Sequence, residues 1–152
     1  MRPTLIRLAI PAAAVVLGGL AWWQFSPHPS TTTPAARLAS GKAIYDARCA
    51  SCHGANLQGQ PDWRTRLPNG RLPAPPHDAS GHTWHHADQD LFALTKHGLA
   101  PFAPPGYQSD MPVFGGTLTD QDIRDVLAYI KSAWPPEIQA RQAAITEKSR
   151  RN

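Results

Sequence analysis

Cys49-Ala50-Ser51-Cys52-His53 places two thiols three residues apart, with an imidazole directly after the second. Thiols at that spacing can each add across one vinyl group of a porphyrin, and the adjacent imidazole is then placed to offer a nitrogen to the iron. The pattern therefore points to covalent attachment of haem. Three other chemistries bring cysteines this close. A thioredoxin-type redox pair needs a strand, helix and strand around it, and that context is missing. A structural zinc site takes four ligands, yet these are the only two cysteines of the chain. A Cys49–Cys52 disulfide would be permitted in an exported protein but leaves His53 without a role.

A six-coordinate haem iron needs a ligand opposite His53, and a thioether there raises the potential relative to a second histidine. Of the two methionines, Met1 lies ahead of the long apolar segment, which leaves Met111, beside the backbone-restricting Pro112. The alternatives are a histidine as sixth ligand and a Met111 that merely fills a core gap. Trp63, Trp84 and Tyr107 have polar tips able to reach a haem propionate, or rings able to pack on the porphyrin. His77, His82, His85 and His86 fall within ten residues, with His97 further on. Clustered imidazoles in an exported protein suggest a second metal site for copper or zinc. The plainer reading is that they bond a propionate or cap the helix near Asp88.

The elements that must position these groups are helical. Apolar residues at helical spacing after Ser40, a plausible N-cap, predict a helix over residues 39–49. Residues 50–80 read as loop, punctuated by Gly54, Gly59, Pro61, Pro68-Asn69-Gly70 and Pro75-Pro76. A second helix begins with Asp88 and Asp90 and is stopped by Gly98. Another proline-rich loop covers 99–110. The clearest helix starts at the N-cap Thr119, with Asp120 and Asp122 in its first turn and Ile123, Val126, Leu127 and Ile130 on one stripe. Lys131 suits its negative end, and Pro135-Pro136 stops it. A more polar helix follows from Glu137 to about Arg150, expected as a solvated tail whose removal leaves the haem spectrum intact. No stretch alternates as a strand does. Three helices and long loops make a thin core, so a covalently held haem should fill the middle.

Residues 8–25 form an uncharged run of 18 residues, preceded by Arg2 and Arg7 and closed by Trp22, Trp23 and Phe25. It fits a signal anchor with an interfacial aromatic belt better than a signal peptide cleaved near Ala21. Either way the remainder is exported, with residues 26–36 as a proline-rich tether, 37–134 as the working domain and 135–152 as the helical tail. From Arg37 to Trp134 there are nine basic and nine acidic residues, so the net charge of +4 sits at the two ends. Clustered Lys and Arg for a nucleic-acid partner are lacking. A neutral domain also steers partners weakly.

On these residues the chain resembles a class I cytochrome c over 37–134. Gly41 and Tyr45 with Val126 and Tyr129 match the family's crossing of first and last helices. Cys49, Cys52 and His53 match its haem-binding pentapeptide, Met111-Pro112 its distal ligand, and Leu118-Thr119-Asp120 the start of its last helix. The resemblance implies an all-α fold of three or four helices around one covalent haem c, and a proline carbonyl, of Pro75 or Pro76, accepting a hydrogen bond from the proximal histidine. It also implies a one-electron carrier rather than an enzyme, because both axial positions are filled. Such a carrier would work in the bacterial periplasm, held at the inner membrane by its N-terminal helix. Its partners would be a dehydrogenase, a quinol-oxidising complex or a terminal oxidase, with no small-molecule substrate. Two alternatives remain: a cytochrome subunit of a larger oxidoreductase, and a haem protein with a copper-binding role.

Overall fold

The computed structural model describes residues 33–151, which carry five α-helices and two 3₁₀ turns and, among the described residues, no strand. The anchor expected over 1–25 lies outside the described residues, as does the tether up to residue 32. No helix among the described residues is long and apolar enough to cross a membrane.

Helix α1, Pro34–Arg48, starts five residues earlier than its apolar spacing suggests and takes in the last residues of the expected tether. The reason is local. Thr33 is the N-cap, its hydroxyl accepting from the Ala36 amide, and Pro34 takes the first helical position, where its missing N–H costs nothing. Ser40 lies inside the helix. After Cys49 the chain makes one further helical turn, α2, Ala50–His53, inside the stretch expected as loop. Helix α3, Asp88–His97, ends at Gly98, whose φ of 75° needs no side chain. A 3₁₀ turn, Ala100–Phe102, interrupts the proline-rich loop after it.

Helix α4, Asp120–Ser132, begins with a full capping box: the Thr119 hydroxyl accepts from the Asp122 amide and the Asp122 carboxylate accepts from the Thr119 amide. It buries Ile123, Val126 and Ile130. Its main partner is α1. At their crossing Gly41 has no space for a side chain, because a Cβ would stand 2.0 Å from the Asp125 carbonyl oxygen. Tyr45, fully buried, packs on Tyr129 with ring centroids 5.5 Å apart. The buried Asp125 carboxylate accepts from Arg37 Nε at 2.9 Å and from Gln121 Nε2 at 2.7 Å, which keeps that charge paired.

Helix α5, Pro136–Arg150, is not a solvated tail. It packs on the 3₁₀ turn Thr83–His85 and buries Gln142 and Thr146. The Gln142 amide donates to the His86 carbonyl, the Asp88 carboxylate and the Thr146 hydroxyl. That hydroxyl in turn accepts from the Asp88 amide at 3.0 Å, capping the start of α3. Arg141 lies over the Trp84 ring, 5.2 Å from its centre.

Candidate metal centre

The helical turn α2 carries Cys52 and His53, and Cys49 caps it at the end of α1, so the rigid α1–α4 pair positions the pentapeptide. Both cysteines are free, Cys49 half-buried and Cys52 exposed, which disfavours the disulfide reading. Burial, and after it Cys52, pushes the Cys49 thiol up to about 11, so it stands as a neutral S–H. Tyr45 donates to the Gly54 carbonyl at 2.8 Å and so pins the residue that follows His53 to α1.

His53 is buried, and its Nδ1 lies 2.8 Å from the Pro75 carbonyl. Burial lowers the imidazole below its ordinary value, with the Pro75 carbonyl opposing. The neutral ring donates from Nδ1, leaving the lone pair on Nε2 for a metal. Of the two candidate prolines it is Pro75 that meets His53. The Pro76 carbonyl accepts instead from the Thr83 hydroxyl at 3.4 Å.

The Pro75-Pro76 backbone is held between two glycines that composition alone did not single out for this role. A Cβ on Gly59, whose φ is 67°, would lie 2.4 Å from the Pro76 nitrogen; one on Gly81 would lie 2.0 Å from the Pro76 carbonyl oxygen. Two further bonds fix this loop: the His77 amide donates to the Leu57 carbonyl at 2.7 Å, and Trp134 Nε1 donates to the His77 carbonyl at 2.7 Å. Thr83 and Trp134 are positioning residues that sequence reasoning missed. An indole with its N–H in the interior needs an acceptor, and that need was the available signal.

Met111 lies on the loop between α3 and α4, its amide donating to the Ser109 hydroxyl at 3.1 Å. It lines an open cleft of about 300 Å³ with His97, Leu99, Tyr107 and Val113, which the pentapeptide does not line. The loop is tied down on both sides of Met111. Asp110 forms an ion pair with Arg71, and the Gly115 amide donates to the Lys96 carbonyl at 2.9 Å. Val113, which lines the same cleft, exposes its apolar side chain, as does Phe102 earlier in the loop.

The three aromatic candidates lie in different surroundings. Trp84 spends its N–H on the Ala79 carbonyl at 3.3 Å and belongs to the core cluster with Tyr45, Val126 and Trp134. Trp63 stacks on His82, 5.3 Å away, and the Arg64 guanidinium lies 4.0 Å from its ring centre. Tyr107 is half-buried in the Met111 cleft.

The histidines do not converge either. His77 stacks on His53, His85 stacks on Trp84, and only His82 and His86 are neighbours, their ring centres 5.5 Å apart. Among the described residues no three His, Cys, Asp or Glu side chains are arranged to hold a metal ion, so a second copper or zinc centre there is corrected to separate packing roles. The same finding leaves the zinc reading of the cysteines without its further ligands.

These donors fit a c-type haem: two free thiols on one helical turn, an imidazole with Nδ1 occupied and Nε2 available, and a thioether on a loop edged with uncovered apolar groups. Residues 38–134 match the family model described as Cytochrome c. The chain is 36% identical to Cytochrome c-555 of Prosthecochloris aestuarii over 98 residues, 61% of this chain and 84% of that protein. It is 44% identical over 59 residues to the cytochrome bc1 complex cytochrome c subunit of Mycobacterium leprae, 36% of this chain and 20% of that protein. Over 54 residues it is 44% identical to the subunit of the same name from Mycobacterium tuberculosis, of which it spans 19%. No solved structure matches the chain.

Proposed function

The chain belongs to the cytochrome c family and carries covalently bound haem c, and from that premise we propose that it is a one-electron carrier of the bacterial envelope, with the iron held between His53 and Met111. The observation that carries this reading is the 2.8 Å bond from His53 Nδ1 to the Pro75 carbonyl, immediately beside two free cysteines. When bound, the haem supplies a one-electron iron couple. The protein's part would be to hold the two donors, the His53 imidazole and the Met111 thioether, in place. Cys49 and Cys52 would fasten the group at the α1–α2 junction, the Pro75 carbonyl fixes the His53 tautomer, and the Arg71–Asp110 pair restrains the loop that carries Met111.

The electron-transfer role is that of the family, and the match to cytochrome c subunits of bc1 complexes supports a membrane-bound redox complex as partner. An uncleaved N-terminal anchor would raise the effective concentration at such a partner through linkage alone. Periplasmic residence and direct handover to a quinol-oxidising complex or terminal oxidase are parts of the same proposal.

The test is optical. The full chain, expressed with haem-attachment machinery, should give a low-spin ferric spectrum with a weak sulfur-to-iron charge-transfer band that Met111→Ala removes. An unchanged spectrum in that variant would refute the Met111 assignment.

A further inference from the structure

We propose that His77 is a positioning residue for the His53 imidazole, setting the plane in which that ring presents Nε2. The inference rests on His53 being an iron ligand and goes on to say what fixes its orientation. The rings of His53 and His77 are stacked with centroids 3.9 Å apart and planes 21° from parallel. One hydrogen bond from Nδ1 to Pro75 locates an edge of the His53 ring but leaves the ring free to tilt about that edge. A flat neighbour lying on its face removes the tilt.

A neighbour can define a plane only if its own plane is fixed, and here it is. His77 Nδ1 lies 2.8 Å from the Thr83 hydroxyl, which donates onward to the Pro76 carbonyl. The adjacent carbonyls of Pro75 and Pro76 thus register the two imidazoles side by side, the first directly and the second through Thr83. The proline rings fix φ for both carbonyl-bearing residues. The His77 backbone is bonded on both sides, its amide to Leu57 and its carbonyl to Trp134 Nε1. Tyr45 closes the remaining side, edge-on with its centroid 6.4 Å from His77. An aliphatic residue at 77 would fill the volume without defining a plane.

The orientation of an axial imidazole decides which of the two iron dπ orbitals holds the unpaired electron of a low-spin ferric centre, and the paramagnetic shifts of the four haem methyl groups report that choice. The full-length, haem-loaded protein is therefore compared by proton NMR with His77→Leu and Thr83→Val, alongside His85→Leu as a control away from the stack. We expect covalent, low-spin haem in all four proteins. The order or spread of the methyl shifts changes in His77→Leu and Thr83→Val and stays as wild type in His85→Leu. Methyl shifts unchanged in Thr83→Val would overturn the proposal even if His77→Leu fails to fold. A wild-type ferric protein lacking hyperfine-shifted ring protons of His53 would instead sink the ligand reading itself, and with it the proposal.

Discussion

Gly41 on α1 and Asp125 on α4 meet backbone to backbone, close enough that a Cβ on the glycine would stand 2.0 Å from the Asp125 carbonyl oxygen and 2.9 Å from Tyr129 Cβ. The obstacle is helical backbone, which cannot swing aside as a side chain can. Because α2 continues from α1, the same crossing positions the haem-binding turn.

Replacing Gly41 with Ala should force the two helices apart. The expected cost is about 3 kcal/mol, toward the upper end for overpacking a core. For a domain of this size that is a fall in midpoint of roughly 10–20 °C, read by thermal unfolding of the haem-loaded protein. A midpoint within a few degrees of wild type would show that the helices do not cross this tightly.

Helix α5 is anchored by a buried amide, so removing it should destabilise the fold rather than pass unnoticed. Gln142→Ala strips the donor that serves His86, Asp88 and Thr146 together, at a cost of about 1–3 kcal/mol. The proposed iron ligands, His53 and Met111, lie on other elements, so the low-spin spectrum is expected to persist at low temperature. Denaturant titration of the variant, followed by optical spectra of the remaining folded protein, separates the two effects.

Acid should loosen the same contact. Burial raises the Asp88 carboxyl, but hydrogen bonds from Lys131 and Gln142 outweigh it and hold the group below its ordinary value of 3.8. A depressed folded-state value means that the stabilisation is complete above the ordinary value and is lost as pH falls through the folded one. Amide protection in α5, measured against intrinsic exchange at each pH, should therefore fall below about pH 4, and Asp88→Asn should flatten that dependence.

The capping box offers a local check on α4. Thr119→Ala removes the oxygen that receives the Asp122 amide at 3.1 Å and should cost about 1 kcal/mol, without disturbing the haem spectrum. Thr119→Ser, which retains the oxygen, should recover most of it.

Short-range chemistry made much of this protein legible as sequence. The pentapeptide is contiguous, the stripe of Ile123, Val126 and Ile130 has a helical period, and the caps Thr119 and Gly98 act within their own turns. Each of these needs only neighbours within a few residues, so a linear reading suffices. Thr33 with Pro34 was equally local, but the prolines around it read as tether.

What only the tertiary structure decided depends on groups far apart in the chain. The choice of Pro75 over Pro76 follows from how Gly59 and Gly81 clamp the proline backbone, and neither glycine announces its partner. The four histidines look like one cluster because they are close in sequence, yet the 3₁₀ turn Thr83–His85 and the proline pair send them to different neighbours. The tail looks solvated because its buried residues are polar, Gln142 and Thr146, and their partners at His86 and Asp88 lie more than fifty residues earlier. Sequence fixes what each residue can do chemically, whereas the packing of α1 on α4 and of α5 on the Thr83–His85 turn determines which partner it meets.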